Sequence, residues 1–258
     1  MRQLEGQVAI VTGGGKGIGR AIAHGLSARG VRVVVTGREE KALAETVGEI
    51  ANAAGKARHL AGDVRDPAHL DAAVARAFDV FGGLDIVVAN AGLSGRVPIE
   101  GDLERAAGIV NTNLMGAYYT FHAAAKRMKG PGRFLAVSSV LGKFGVPGYA
   151  AYCASKAGLL GLMRALAHEM GPRKITCNAI VPGWVETDMA EAGIREIAAS
   201  SGSTREEARR TAEGEFPLGR FIEPEEVAEL AVFLCGSGAD AMTGQAISMC
   251  GGATAFGG

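Results

Sequence analysis

The chain has 258 residues, with 27 Lys and Arg against 27 Asp and Glu, so its formal charge is zero. No basic excess points to nucleic acid or an anionic membrane surface. Hydrophobic residues at 48% and a total of 39 glycines fit a well-buried core with many tight turns, not a disordered chain. In chain order, the β-branched run VAIV at 8–11 predicts a strand, followed by a glycine turn and a helix over 17–29. A second strand is expected at 31–36, a polar helix at 39–53, a weak third strand at 57–60 and a helix at 67–81. A fourth strand at 84–88 precedes a long helix over 103–129, bent at Gly116. A fifth strand at 133–137, a helix at 149–170 and a sixth strand at 175–180 follow. Residues 189–215 read as mostly helical and unusually charged, ahead of a helix at 224–234 and a last strand at 245–249. This alternation predicts an α/β fold, a doubly wound parallel sheet of about seven strands with helices on both faces. No linker or repeat divides the chain, so 1–258 is one domain.

Cys153, Cys177, Cys235 and Cys250 form no C-x-x-C and read as reduced thiols. The opening MRQLEGQVAIVTG has no basic-then-apolar leader, and no run approaches the ~18 apolar residues of a membrane span. A cytoplasmic protein without membrane or nucleic-acid partners is expected. The five histidines show no metal spacing, and no G-x-S-x-G elbow argues for a hydrolase.

TGGGKGIG at 12–19 follows the first strand and opens a helix. Glycines without Cβ atoms let a pyrophosphate approach, and the helix start offers free N–H groups and a positive dipole end. The plainer alternative is a flexible turn. On a helix, Tyr152 and Lys156 of YCASK share one face. A tyrosine pKa near ~10 is too high for neutral-pH proton exchange, and a neighbouring ammonium is expected to lower it. Ser139 offers a hydroxyl to a substrate oxygen. A strand-end hydroxyl at Ser139 and a capping amide at Asn113 are the structural alternatives.

TGGGKGIG, NAG at 90–92, Asn113 in NTNLMG, VSS at 137–139, Tyr152 and Lys156, and Pro182-Gly183 together resemble the short-chain dehydrogenase/reductase family along nearly the whole chain. The resemblance implies a Rossmann-type fold and a catalytic set of Asn113, Ser139, Tyr152 and Lys156, with a hydride passing between nicotinamide and a carbonyl. Ser139 stands thirteen residues before Tyr152, the family spacing, and is preferred over Ser138. Asn113 corresponds to the asparagine of a water-linked proton relay to Lys156, and Lys156 to the lysine that also holds the nicotinamide ribose. Gly13, Gly17, Ile18 and Gly19 correspond to the pyrophosphate turn, and Asp63 and Val64 to the adenine frame. Asn90 and Gly92 correspond to the ribose-side loop, and Pro182, Gly183, Val185 and Thr187 to the carboxamide side.

The second strand ends Thr36-Gly37-Arg38. Gly37 stands where NAD-preferring relatives place an acid, and Arg38 with Lys16 suits a 2′-phosphate. NADP(H) is therefore the expected cofactor, although Glu39 and Glu40 are placed to neutralise Arg38. A substrate lid is expected at 189–216, with Gly193, Gly202 and Gly214 as hinges or helix ends. Tyr149, Trp184 and Met189 are candidate substrate contacts beside Ser139; packing is the alternative for Tyr149 and Trp184. Arg96 reads as a solvated loop cation or a contact for a pantetheine arm.

The C-terminal third is similar to aromatic polyketide ketoreductases and acetoacyl-thioester reductases, but the Pro-Gly-Gly after NAG that marks the polyketide group is replaced by Leu93-Ser94-Gly95. The expected substrate is a small-molecule ketone, either a β-ketoacyl thioester or a polyketide-like or cyclic ketone, free or carrier-bound. Alternatives are alcohol oxidation on the same fold and a non-enzymatic dinucleotide sensor. A homodimer or homotetramer is implied, with Leu159, Leu160, Leu162, Met163 and Leu166 crowding one helix.

Overall fold

The structure, a computed structural model, describes residues 4–255. The β-branched runs form β1 (Val8–Thr12), β2 (Arg32–Gly37), β3 (Ala57–Ala61), β4 (Ile86–Ala89), β5 (Gly132–Val137), β6 (Ile175–Pro182) and β7 (Ala246–Met249). All pair in parallel, in the order β3-β2-β1-β4-β5-β6-β7. The nine α-helices of the described residues are α1 (Gly17–Ser27), α2 (Glu40–Asn52), α3 (Pro67–Phe81), α4 (Leu103–Val110), α5 (Gly116–Arg127), α6 (Ala150–Met170), α7 (Asp188–Ser201), α8 (Arg205–Gly214) and α9 (Pro224–Cys235).

The strands read as unbroken apolar runs because both faces are covered. Side chains alternate across the pleat. Ala9, Val11, Val33, Val35, Ile86, Val88, Leu135 and Val137 pack with α1, α2 and α9. Val8, Ile10, Val34, Val87, Phe134 and Ala136 point the other way, onto α3, α5 and α6. Phe134 stacks on Phe121 at 4.8 Å in that second layer, and each such buried side chain contributes about 1.5–3 kcal/mol. Leu159 and Met163 are buried there, with Leu160, Leu162 and Leu166 packed against it. The apolar crowding of α6 is thus largely satisfied within the chain.

Helix starts follow local chemistry. Asp66 accepts from Ala68 N at 2.9 Å, Asp102 accepts from Arg105 N at 3.0 Å, and Thr204 with Glu207 forms a capping box on α8. The expected bend at Gly116 is instead a π-helical turn at Asn111–Met115 joining α4 to α5. Gly116 has a packing reason: a Cβ there would lie 2.7 Å from Val64 Cγ2. The polar 189–215 segment forms α7 and α8 on a separate cluster of Ala190, Ile194, Ala208, Ala212, Phe216 and Phe221. Gly202 (φ +69°) ends α7, Gly214 ends α8, and Gly193 lies inside α7. No helix of the described residues is long and apolar enough to cross a membrane.

Candidate active site

The chain leaves β1 for β2 on one side and returns to β4 on the other. This reversal opens a crevice at the carboxyl ends of the strands, the usual place for a ligand in such sheets. The predicted residues meet there. Thr12, at the tip of β1, accepts at Oγ1 from Asn90 N (3.0 Å) and Ala91 N (3.1 Å). Asn90 Nδ2 donates back to Thr12 O (3.0 Å) and Gly13 O (3.3 Å). The loop after β4 is therefore bolted to the glycine turn. Gly13 has φ +66°, and a Cβ at Gly19 would lie 2.2 Å from Gly13 O. The turn is tight and specified, not a flexible connection.

Three observations test whether a dinucleotide fits. The N-terminus of α1 has no side-chain cap and no acid in its first turn, so its positive end faces the crevice without a partner from the chain's own side chains. Gly17 packs so closely on the opposite wall that a Cβ would lie 2.9 Å from Thr187 Cγ2. Gly37, at the end of β2, carries no carboxylate, and the exposed Arg38 beside it has no ion-pair partner among the described residues. The set fits a phosphorylated dinucleotide. The acids behave differently from expectation. Glu39 pairs with Lys16 at 2.6 Å, not with Arg38, while Glu40 lies 3.8 Å from His59. Asp63 pairs with Arg65 at 2.7 Å, which holds its carboxyl below the usual range. Val64 is buried against Gly116.

At the other end of the crevice Ser139, Tyr152 and Lys156 converge. Ser139 caps the short turn Val140–Gly142 and accepts from Leu141 N at 3.2 Å. Its hydroxyl bonds to Tyr152. Ser138 is committed elsewhere, donating to Lys156 O at 2.8 Å. Geometry therefore separates the two serines as the spacing does. Tyr152 is partly buried, and burial pushes its pKa up to about 12, with the Ser139 hydrogen bond pulling the other way. Lys156 is not among the causes. Its ammonium sits 5.7 Å from the tyrosine ring centre and donates to Val137 O at 2.8 Å. Burial brings the lysine itself down to about 8. Desolvation is thus the largest influence on the tyrosine in this arrangement.

Asn113 lies in the π turn and is fully engaged. Oδ1 accepts from Leu93 N (2.7 Å), and Nδ2 donates to Leu93 O (2.9 Å) and Ser155 Oγ (3.0 Å). Ser155 in turn donates to Tyr152 O at 2.7 Å. Asn113 thereby fastens the 90–93 loop to the helix of the tyrosine. A Cβ at Gly92 would stand 3.2 Å from Asn113 Oδ1 and 3.6 Å from Lys156 Nζ, which explains the glycine by space. Pro182 ends β6 and Gly183 follows it. Val185 bridges to Ile222, and Thr187 caps α7, accepting from Ala190 N at 3.3 Å.

Among the candidate substrate contacts, Met189 is exposed on the first turn of α7. Trp184 stacks on Phe221 at 5.4 Å, with Gly193 of α7 against its edge, and packs within the α7–α8 cluster. Tyr149 Oη donates to Glu196 at 3.2 Å. Sequence reading missed Thr12, Ser155 and Glu196, whose roles arise from contacts between distant segments; the one local signal was Ser155, three residues after Tyr152.

A family model described as enoyl-(acyl carrier protein) reductase matches residues 13–254. A putative ketoacyl reductase of Streptomyces coelicolor is 38% identical, covering 98% of both chains. The 3-oxoacyl-[acyl-carrier-protein] reductase FabG of Escherichia coli is 35% identical over 96% of this chain and 98% of its own. A crystal structure of a variant of actinorhodin polyketide ketoreductase with NADPH superposes with a TM-score of 0.94, at 37% identity and with 97% and 98% of the two chains covered.

Proposed function

The chain belongs to the short-chain dehydrogenase/reductase family, oxidoreductases of the CH–OH/C=O couple, and on that footing we propose that it is an NADPH-dependent ketone reductase. The observation that carries the proposal is the convergence of Ser139, Tyr152 and Lys156 at one end of a crevice whose other end suits a phosphorylated dinucleotide. NADPH, when bound, supplies a hydride to the carbonyl carbon. The turn of Gly13, Gly17, Ile18 and Gly19 would hold its pyrophosphate, and Arg38 and Lys16 its 2′-phosphate. Asp63 and Val64 would border the adenine, Asn90 and Gly92 the ribose side, and Pro182, Gly183, Val185 and Thr187 the carboxamide side.

In this reading Ser139 donates a hydrogen bond to the substrate oxygen and Tyr152 gives it a proton. A tyrosine held near 12 is still acidic enough to protonate an alkoxide. The phenolate needed for alcohol oxidation would be scarce at neutral pH. The Lys156 ammonium, 5.7 Å from the ring centre, returns a proton to the phenolate left behind, and the neutral amine is recharged by a proton relayed through the Asn113 side of the cleft. Residues 189–216 act as a lid that carries Met189 over the substrate, with Tyr149 on the facing wall.

The named relatives favour a β-ketoacyl thioester or a cyclic, polyketide-like ketone as substrate. A cytoplasmic homodimer or homotetramer belongs to the same proposal, supported by the highly exposed Ile99 and Leu103 and checked by light scattering. The central test is nicotinamide absorbance decay with NADPH or NADH against a β-ketoacyl thioester, a bicyclic ketone, an aryl ketone and a steroid ketone. Tyr152→Phe is expected to lose about 10²–10⁴-fold in turnover while binding NADPH as before. Full activity in that variant would overturn the assignment.

A further inference from the structure

Glu196, in the second half of α7, meets three separate walls of the cleft. Its Oε2 accepts from Arg96 N at 3.2 Å and from Tyr149 Oη at 3.2 Å. Its Oε1 lies 3.6 Å from Arg105 Nη2 on α4. The walls are themselves joined, since Val97 N donates to Gly148 O at 2.7 Å. Both arginines press on glycines. A Cβ at Gly95 would lie 2.3 Å from Arg105 Nη2, and one at Gly148 would lie 2.7 Å from Arg96 Cγ. A larger residue at Gly95 would push the Arg105 guanidinium away from the carboxylate, and one at Gly148 would displace the Arg96 side chain. Tyr149 is held up to about 12, by burial first and then by the Glu196 charge, so it stays a donor through the physiological range.

The body of α7 rests on its own apolar cluster with α8, apart from the two main core layers. Its hold on the opposite side of the cleft is polar and runs through this carboxylate. Met189 and Glu196 are seven residues apart on α7, two turns, and so share a face. Where Glu196 docks therefore sets where Met189 is presented.

We propose that Glu196 is a positioning residue: it latches α7 across the mouth of the cleft onto Tyr149 and the 93–98 loop, and so sets how tightly the ketone is gripped. The inference rests on the ketone-reductase reading and on the α7–α8 lid within it. The three contacts act on one carboxylate, so removing it releases all three together, and truncating one partner afterwards changes little.

The test compares wild type, Glu196→Gln, Glu196→Ala, Tyr149→Phe and the Glu196→Ala/Tyr149→Phe double variant. Trp184 is the one tryptophan of the sequence and packs against Gly193 of α7, so its fluorescence reports the lid without any turnover. Glu196→Ala is expected to raise acrylamide quenching of Trp184 and to raise the ketone KM about fivefold, leaving NADPH affinity unchanged. Glu196→Gln is expected to fall between, and the double variant to match Glu196→Ala. A loss of folded protein would lower apparent kcat and leave KM alone. Quenching and KM equal to wild type in Glu196→Ala, or fully additive effects in the double variant, would overturn the latch. If the wild type reduces no ketone of the panel, the reductase reading fails, and the quenching comparison still decides whether Glu196 holds α7.

Discussion

Cofactor choice offers the sharpest quantitative test. Gly37 ends β2, and its backbone is outside the left-handed region. A Cβ built there meets nothing nearer than Leu43 Cδ2 at 3.7 Å. Aspartate is therefore accommodated without strain at the position where a carboxylate would accept from ribose hydroxyls. Arg38 is exposed and without an ion-pair partner among the described residues, though its field helps hold the Asp63 carboxyl down. A charged hydrogen bond from arginine to phosphate is worth about 1.5–3 kcal/mol. Exposure reduces that to about 1–2 kcal/mol, or about 5–30-fold in affinity. Arg38→Leu is thus expected to weaken NADPH by that factor and leave NADH unchanged. Adding Gly37→Asp repels the phosphate and gives NADH new acceptors, moving the preference by about 100-fold in all, since adjacent substitutions need not add. Dissociation constants come from nicotinamide fluorescence titrations at fixed ionic strength, because the phosphate contact is screened by salt. Equal weakening of both nucleotides by Arg38→Leu, or a wild type that prefers NADH, would refute the reasoning.

The two serines should part company. Ser138→Ala removes the bond to Lys156 O and is expected to cost about 1 kcal/mol of stability with little change in kcat. Ser139→Ala should lower kcat by about 10²–10³-fold at unchanged Tm; the reverse pattern would exchange their roles. Lys156, held down to about 8 by burial, loses its ammonium form as pH rises through that value. Reductive kcat/KM is therefore expected to be level below it and to decline above it, whereas a profile flat to pH ~10, near the ordinary lysine range, would show that the charge is not needed. Arg133 is buried at 2% side-chain exposure against the half-exposed Asp240 and also donates to Cys235 O and Gly236 O at the end of α9. Asp240→Ala should lower stability to urea by about 1–2 kcal/mol without altering KM, and unchanged stability would show that the carbonyls alone hold the arginine.

The alternation of strands and helices was legible because each local signal agreed with the next: β-branched runs, glycine turns and amphipathic stretches. The pairing of Ser139 with Tyr152 was legible through the thirteen-residue spacing and the family resemblance. What escaped depended on contacts between distant segments. Glu39 turned to Lys16 and not to the adjacent Arg38 because the glycine turn brings Lys16 beside it. Trp184 stacked on Phe221 across a bridge between Val185 and Ile222 that no periodicity announces. The burial of Tyr152 and Lys156 escaped because a sequence gives proximity on a helix but not the cost of desolvation.

The π turn at Asn111–Met115 does more than place one amide. It divides a single long helix into halves that keep different company: α4 packs mainly on α6, and α5 mainly on α3. An inserted residue rotates everything after it by about 100° relative to a regular helix, so the two halves are out of phase by one position. Asn113 stands at the dislocation. The helix can thus pack on α6 with one half and on α3 with the other, two neighbours in the same layer over the sheet, without a loop between them. Deleting any one residue of 111–115 would restore an unbroken α-helix and swing one half off its neighbour, a frameshift in three dimensions with every codon still in frame.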